Sequence, residues 1–216
     1  MFGIHDLSLF IMAGLLLNIT PGPDTVFSCS RSASQGLRGG LAAMGGIYAG
    51  CVVHTFAAAL GLSAILLTSA EAFFVVKMIG AAYLVYVGIS MLRERAGVAL
   101  SLDRAMPALT AKRIFWQGFL TNVLNPKVAL FYLAFLPQFI SVESTEKATA
   151  FLVLGAIFIL NSTLVTLPLI WVVAKTSANF NFSKIANGRV VHWMNRTCGA
   201  LFVIVGIKLA LTERPA

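Results

Sequence analysis

The sequence predicts an all-α integral membrane protein with six transmembrane helices. Of its 216 residues, 58% are hydrophobic and 11% are charged, whereas a soluble domain carries about 25% charged residues. A helix needs roughly 20 apolar residues to cross the hydrocarbon layer of a membrane. Six stretches approach or exceed that length, at about residues 7–30, 41–68, 72–92, 115–139, 148–174 and 194–212. The alternating pattern of a membrane β-barrel does not occur in the sequence.

The first stretch is interrupted by a polar segment, Asn18–Asp24, through which a helix cannot continue unbroken. Two prolines and a glycine within it remove backbone donors and add flexibility: Pro21, Gly22 and Pro23. We predict that Thr20 is the N-cap of the following helix, with Pro21 at its first position and Asp24 in its first turn. Broken helices at membrane depth are tolerated where they line a cavity, and a charge there is usually functional.

The fourth stretch contains a second break with related spacing. Its residues are Gly118, Asn122, Asn125, Pro126 and Lys127. As in the first stretch, a glycine is followed by an asparagine four residues later and then by a proline-containing break. The third and sixth stretches also agree near their ends, where Val87-Gly88-Ile89 corresponds to Val205-Gly206-Ile207. The sequence therefore contains two related halves.

Two halves of three helices each must insert with opposite orientation, because three is an odd number. We predict one transmembrane transporter domain over residues 1–216 that consists of two inverted three-helix repeats, with helices one and four broken. Repeat one covers about 1–95, a cytoplasmic linker covers about 93–113, and repeat two covers about 114–216. Secondary transporters with this plan bind their substrates where the broken helices meet.

The formal charge of +8 is explained by membrane topology rather than by nucleic-acid binding. Eleven of the 16 Lys and Arg residues lie in the connections that follow the first, third and fifth stretches or, for Arg196, at the adjoining start of the sixth. The positive-inside rule places these connections in the cytoplasm and both termini outside.

The groups at the two breaks can hold both ends of a zwitterion. A helix that begins at the first break offers free N–H groups to a carboxylate, and the helix that ends near Asn18 offers carbonyls to an ammonium. At the second break, Asn122 and Asn125 supply amides and Lys127 supplies a positive charge. Asp24 is also a candidate proton carrier, because removal from water disfavours a charged carboxylate.

Other roles for the two charged residues stay open at this point. Asp24 can cap its own helix. Asp24 and Lys127 can form a structural ion pair or gate, which is compatible with substrate binding. Lys127 can also extend toward a lipid headgroup.

Metal and redox chemistry have weaker support. Cys51 and His54 share a helical face, but two ligands do not make a metal site. Cys29, Cys51 and Cys198 lie far apart and predict no disulfide framework or redox pair. The spacing Gly46-x3-Gly50 predicts a close helix contact, either within the chain or in a homodimer.

These motifs resemble the LysE/RhtB family of bacterial amino-acid exporters, the lysine exporters and homoserine/threonine resistance translocators. In the first half the resemblance rests on Asn18–Asp24, Gly36-x2-Gly39-Gly40, Gly45, Gly80–Leu84 and Gly88. In the second half it rests on Gly118-x3-Asn122-x2-Asn125-Pro126-Lys127 and Leu136–Phe139. It covers essentially the whole chain.

The resemblance implies a multi-pass protein of the bacterial inner membrane that exports amino acids or their derivatives, driven by the proton gradient. We expect no enzymatic activity, cofactor, bound metal or nucleic-acid partner. The expected partners are an amino-acid substrate, a proton, the lipid bilayer and a second copy of the chain. A neutral substrate similar to homoserine, threonine or leucine is favoured, since a dibasic one would need a second carboxylate. The alternative is a divalent metal-ion exporter of the same superfamily. The predicted substrate-binding residues are Asn18, Thr20, Pro21, Gly22, Pro23, Asp24, Asn122, Asn125, Pro126 and Lys127.

Overall fold

The structure is a computed structural model that describes residues 2–20, 22–64, 70–93, 107–141, 143–176 and 188–211. Its helices are α1 (Leu7–Ile19), α2 (Pro23–Ala57), α3 (Ala70–Arg93), α4 (Ala111–Val123), α5 (Pro126–Leu130), α6 (Lys147–Thr176) and α7 (Gly188–Leu211). A π-helical segment, Ala58–Leu62, extends α2. A π-helical segment, Phe131–Phe135, and a 3₁₀ segment, Leu136–Phe139, extend α5. Within the described residues, β-type pairing is limited to one bridge between Ile4 and Ile140.

Several of these helices have the length and composition of membrane spans. Pro23–Leu62 and Lys147–Thr176 are each long and apolar enough to cross a membrane, and Ala111–Val123 with Pro126–Phe139 forms a third candidate, bent by 49°. Large apolar side chains face outward: Leu60, Leu164 and Ile204 are 72%, 64% and 63% exposed. Apolar exposure on this scale fits contact with lipid rather than water. The chain is an all-helical integral membrane protein.

The long helix α2 reverses direction at Gly36. The backbone angles of this residue, φ 69° and ψ −168°, lie outside the range found in helices. A Cβ on Gly39 would lie 2.7 Å from the carbonyl oxygen of Arg31, although residues eight apart in a straight helix are separated by about 12 Å. We therefore divide α2 into limb one, residues 23–34, and limb two, residues 37–57. The sequence predicted that residues 31–40 connect the first two membrane-spanning stretches. These residues are mostly helical, and the non-helical turn is confined to Gln35 and Gly36.

Small residues let the helices approach closely. Helix α2 packs against α4 and α6, and α3 packs against α7. A Cβ on Gly118 of α4 would lie 2.5 Å from the carbonyl oxygen of Ala43, and one on Gly46 would overlap the backbone of Phe115. The predicted close contact at Gly46 and Gly50 is thus made within the chain, and it provides no support for a homodimer.

An aromatic cluster joins α1, α6 and the extension of α5. The ring of Phe131 lies 4.5 Å from that of Phe158 and 5.0 Å from that of Phe135, measured between centroids. Phe10 of α1 packs on the same group, 5.1 Å from Phe139. Since all five rings are buried, they hold the helices around the second break in a fixed arrangement.

Contacts between distant parts of the sequence define the two ends of the molecule. At one end, the N–H of Ser141 donates to the carbonyl oxygen of Gly3 at 2.8 Å. At the other, Arg31 donates to the carbonyl oxygen of Pro107 at 3.3 Å, and the amide of Gln35 donates to that of Leu109 at 2.8 Å. The turn in α2 therefore lies beside the end of the predicted linker. Residues 94–106 of that linker lie outside the described residues.

Candidate functional site

The first break lies between α1 and α2, and α2 begins later than the sequence predicted. Thr20 ends α1, with its hydroxyl donating to the carbonyl oxygen four residues earlier at 2.8 Å. Gly22 is the N-cap of α2 and Pro23 is its first residue. The prediction that Thr20 caps this helix and that Pro21 begins it is wrong. Gly22 precedes Pro23 and is therefore disfavoured in the helical region, so a helix that started at Pro21 would be interrupted there, and α2 begins only at Pro23. Pro21 itself lies outside the described residues.

The second break separates α4 from α5 and carries its own cap. Asn125 is the N-cap of α5, and its side-chain oxygen accepts the N–H of Lys127 at 3.0 Å. Pro126 occupies the first helical position, where its missing N–H has no helical partner to lose. The cap-and-proline arrangement that we predicted for the first break is therefore found at the second.

Asp24 connects the two breaks. It lies in the first turn of α2, as predicted. One carboxylate oxygen accepts the side-chain amide of Asn122 at 2.7 Å, and the other accepts that of Asn125 at 3.2 Å. The carboxylate is thus directed across to the second break and not toward the start of its own helix. Amide donors to a carboxylate are among the stronger hydrogen bonds in proteins.

Lys127 brings a positive charge to the same place. It interacts electrostatically with Asp24, and its Nζ lies 3.8 Å from the position that a Cβ would take on Gly22. The ammonium group therefore lies at the first break and does not extend toward a lipid headgroup. Opposite charges from the two breaks face a common space.

That space is a cavity of about 590 Å³, counted with the part that is open to solvent. Seven of the ten predicted site residues line it: Asn18, Thr20, Gly22, Asp24, Asn122, Asn125 and Lys127. Pro23 and Pro126 begin the helices α2 and α5 beside it and act on the shape of the breaks.

Several buried polar atoms at this cavity have no hydrogen-bond partner among the described residues. They are the amide nitrogen of Asn18, the hydroxyl oxygens of Ser28 and Tyr48, and the amide oxygen of Asn122, although the hydroxyls of Ser162, Thr163 and Thr166 lie near that of Tyr48. Buried polar groups in proteins are nearly always paired, so each exception requires an explanation. Water molecules or a polar ligand inside the cavity can supply the missing partners.

Sequence reasoning missed part of the cavity wall. Ser28 and Tyr48 come from the two limbs of α2, and Ser162 and Thr166 come from α6. The spacing of Asp24 and Ser28 by four residues puts both on one helix face, as does that of Ser162 and Thr166. This spacing could have indicated two polar faces, but serine and threonine are common in membrane helices for other reasons. Nothing in the sequence indicated that these faces meet.

In the described part of the chain, no cluster of side chains supports a metal site or a redox pair. No three His, Cys, Asp or Glu side chains come together there as metal ligands. Cys29 and Cys51 are buried free thiols, and the side chain of Cys198 lies outside the described residues. The ring of His54 stacks on Tyr132 at 5.6 Å, and its Nε2 lies 3.3 Å from the backbone oxygen of Asn122.

A polar cavity between two broken helices, inside an apolar helical protein, is the arrangement of a membrane transporter. The free helix ends and charged side chains offer partners to a solute within the bilayer.

Comparison with known proteins identifies the family. A model of the LysE type translocators matches residues 15–213, and the chain belongs to that family. It is a transporter and not an enzyme, and it is a multi-pass protein of the bacterial inner membrane. No solved structure matches the chain.

Three relatives illustrate the range of the family. An uncharacterized membrane protein of Vibrio cholerae is 32% identical over 97% of this chain and 98% of its own length. A homoserine/homoserine lactone efflux protein of Salmonella typhimurium is 29% identical over 93% of this chain and 94% of its own length. A leucine efflux protein of Enterobacter sp. is 30% identical over 71% of this chain and 72% of its own length.

Proposed function

We propose that this protein is a secondary active exporter of small neutral amino acids, driven by the proton gradient. The observation that carries the proposal is the cavity in which Asp24 and Lys127 face a common space from two different helix breaks. An amino acid is a zwitterion, so its ammonium and carboxylate groups need opposite charges at a short distance. The efflux of homoserine and leucine by relatives supports an amino-acid substrate.

The substrate groups have natural partners at the site. The carboxylate can bind the ammonium group of Lys127 and the free N–H groups at the start of α2. The ammonium can bind Asp24 and carbonyl oxygens in the last turn of α1. Asn18 and Asn122 add the unpaired amide atoms described above. Each of these groups belongs to one break or the other, so a bound substrate stabilises a particular arrangement of the two.

Proton coupling is proposed through Asp24. Among the lining residues that the structure describes, Asp24 has the one carboxyl group. Protonation removes its charge and one of its acceptor sites, and this weakens the attachment to Asn122, Asn125 and Lys127. The two breaks can then separate or shift, which makes the position of the helices depend on the proton.

Six spans in two inverted repeats are also proposed. The turn at Gly36 separates a first, broken span, α1 with limb one, from a second span, limb two with its π-helical extension, and α4 with α5 and its extension forms one bent span. Contacts between α3 and α7 support a two-fold relation: a Cβ on Gly88 would lie 2.6 Å from the oxygen of Gly199, and one on Gly206 would lie 2.9 Å from that of Ala81. Gly206 follows Gly199 by seven residues, as Gly88 follows Ala81. The contact therefore repeats itself when the halves are exchanged.

The test is transport in proteoliposomes with an imposed pH gradient. We expect Asp24→Asn and Lys127→Met each to reduce transport of the best substrate to background, with insertion and folding unchanged. The matched controls are Glu71→Gln and Lys208→Met, which remove one acid and one cation at exposed positions on α3 and α7 and should transport normally.

Two results would count against the proposal. Near-normal transport by Asp24→Asn or Lys127→Met would remove that residue from the mechanism. Transport that does not change when the pH gradient is reversed or abolished would reject proton coupling, whichever amino acid is carried.

A further inference from the structure

We propose that His54 is a second protonatable group of the transport cycle, which acts on Asp24 through Asn122 at the end of α4. His54 is not among the described residues that line the cavity. It therefore acts through its neighbours, as a positioning residue. This inference rests on the proposed function and deepens it, because proton coupling then depends on two groups, Asp24 and His54, instead of one.

His54 contacts the second break where α4 ends. Its Nε2 lies 3.3 Å from the backbone oxygen of Asn122. A carbonyl oxygen only accepts hydrogen bonds, so Nε2 carries a hydrogen and donates it. This carbonyl lies in the last turn of α4, at the negative end of the helix dipole, where a positive charge is favourable. A protonated imidazole therefore stabilises the helix end that carries Asn122.

Asn122 also joins His54 to Asp24. Its side-chain amide donates to the carboxylate of Asp24 at 2.7 Å, while its backbone oxygen faces His54. Asp24 and His54 interact electrostatically as well. A positive charge on His54 favours the ionised form of Asp24, and an ionised Asp24 favours the charged form of His54. Two groups that interact in this way take up protons as a pair.

Packing holds the imidazole ring in this orientation. The ring stacks on that of Tyr132, with 5.6 Å between the centroids and an interplanar angle of 27°. Tyr132 is buried, and its hydroxyl accepts a hydrogen bond from Thr55, the residue after His54, at 3.0 Å. These contacts direct the imidazole toward the end of α4.

Among the titratable groups around this point, a histidine has an ordinary titration range of roughly pH 5 to 8. Cys51 precedes His54 by three residues on limb two, and Tyr132 faces it from the extension of α5. A thiol and a phenol are ordinarily uncharged at neutral pH, whereas the ammonium of a lysine such as Lys127 is ordinarily charged. The charged residues of the described helices α4 and α6 lie near helix ends: Lys112, Arg113, Lys147 and Lys175.

His54 lies toward the side from which protons enter. It is one helical turn, about 6 Å, beyond Gly50, which packs on Asn122, and this turn leads away from Gly36. The positive-inside rule places the connection at Gly36 in the cytoplasm, so His54 is on the external side of Asn122. Its side chain is half-buried. An exporter driven by the proton gradient takes up protons outside, and these protons reach the level of His54 before that of Asp24.

The pH dependence of transport tests the proposal. Amino-acid counterflow in proteoliposomes is measured at equal pH on both sides, from about pH 5 to pH 8. His54→Gln keeps a donor for the oxygen of Asn122 but has no charge. Its midpoint of pH-dependent transport should move up by about one pH unit, because Asp24 loses a charge that opposes its protonation.

A second variant and a control separate charge from packing. His54→Phe keeps a ring that can stack on Tyr132 and also lacks the charge, so it should show the same shift. His5→Gln is the matched control, at a histidine whose side chain is 46% exposed outside the helices, and it should keep the wild-type profile. A uniform loss of rate in both His54 variants, with the midpoint unchanged, would make His54 a packing residue only and would overturn the proposal.

Histidine NMR in detergent measures the same coupling without transport. The signal of His54 is the one missing from the spectrum of His54→Gln. Because the coupling of two sites is reciprocal, the titration midpoint of this signal should fall by about one pH unit in Asp24→Asn, which lacks the carboxylate charge. Glu71→Gln, at an exposed acid on α3, should leave the midpoint in place.

The two measurements distinguish this inference from the proposed function. An NMR midpoint of His54 that does not move in Asp24→Asn would overturn the inference even if the protein exports amino acids. Transport of no amino acid at all would reject the proposed function, and with it a role of His54 in that transport, whereas the NMR shift would still establish the pairing of the two groups.

Discussion

Asn122 is the residue through which the two breaks and limb two of α2 meet. It is completely buried, and its amide donates to Asp24 at 2.7 Å. Its side-chain oxygen lies against Gly50, where a Cβ would be only 2.6 Å away. Its backbone oxygen lies near His54. A change at any of these neighbours therefore moves the group that holds the carboxylate of Asp24.

We expect Gly50→Ala to reduce transport by about tenfold or more, because the new methyl group must displace Asn122 from Asp24. A hydrogen bond to a charged group contributes about 1.5–3 kcal/mol. The measurement is initial transport rate per folded protein.

The control for this variant is Gly61→Ala, at a helical glycine with no atom within 4 Å of the added Cβ. It should transport normally and be as stable as the wild type or slightly more so. Equal rates for Gly50→Ala and Gly61→Ala would mean that the position of Asn122 does not limit transport.

At the scale of the elements, the irregular points of the helices determine the site. Prolines cause the two breaks, and this effect is local, so the sequence predicted both. The turn at Gly36 depends on a backbone conformation that is almost restricted to glycine. It brings limb two, and with it Tyr48 and Gly50, beside the cavity. The π-helical segments at Ala58–Leu62 and Phe131–Phe135 carry no such sequence marker, since packing between helices produces them.

Gly36→Ala should destabilise the protein by about 1–3 kcal/mol, because alanine is strained at φ 69° and ψ −168°. Thermal unfolding in detergent measures the effect.

Gly45→Ala is the matched control in limb two, where the nearest atom would be a ring carbon of Phe115 at an ordinary 3.7 Å. Alanine is favoured over glycine in a helix by about 0.5–1 kcal/mol, so this variant should be no less stable than the wild type. If Gly36→Ala unfolded at the same temperature as Gly45→Ala, the turn would not depend on glycine.

At the scale of the whole molecule, the distribution of positive charges and the contacts between helix connections agree. Both place the same connections at the same end of the helices. The positive-inside rule assigns the connections near Arg31 and near Lys112 to the cytoplasm. In the structure Arg31 is buried, and it donates to Pro107 and to Gln117 of α4. The N-terminus instead contacts Ile140, Ser141 and Ser144, in a connection that the same rule places outside.

Cysteine labelling in cells tests this orientation. In a background without Cys29, Cys51 and Cys198, we expect Glu143→Cys to react with a membrane-impermeant maleimide in intact cells. Lys112→Cys should react only after the membrane is permeabilised. Both positions are exposed in the structure. The reverse pattern would invert the orientation and would contradict the use of the cation distribution as a topology signal.

The sequence by itself determined the class of protein, the two helix breaks and the residues beside them. These follow from composition and from the local effects of proline, glycine and charge, which need no tertiary contact. It did not determine where α2 begins, because Pro21 and Pro23 are both acceptable as the first residue of a helix. It also did not determine that Asp24 is held by Asn122 and Asn125, or that hydroxyls from both limbs of α2 and from α6 meet in one cavity. Those contacts join residues about 100 or more positions apart in several cases, and only the packing of the helices brings them together.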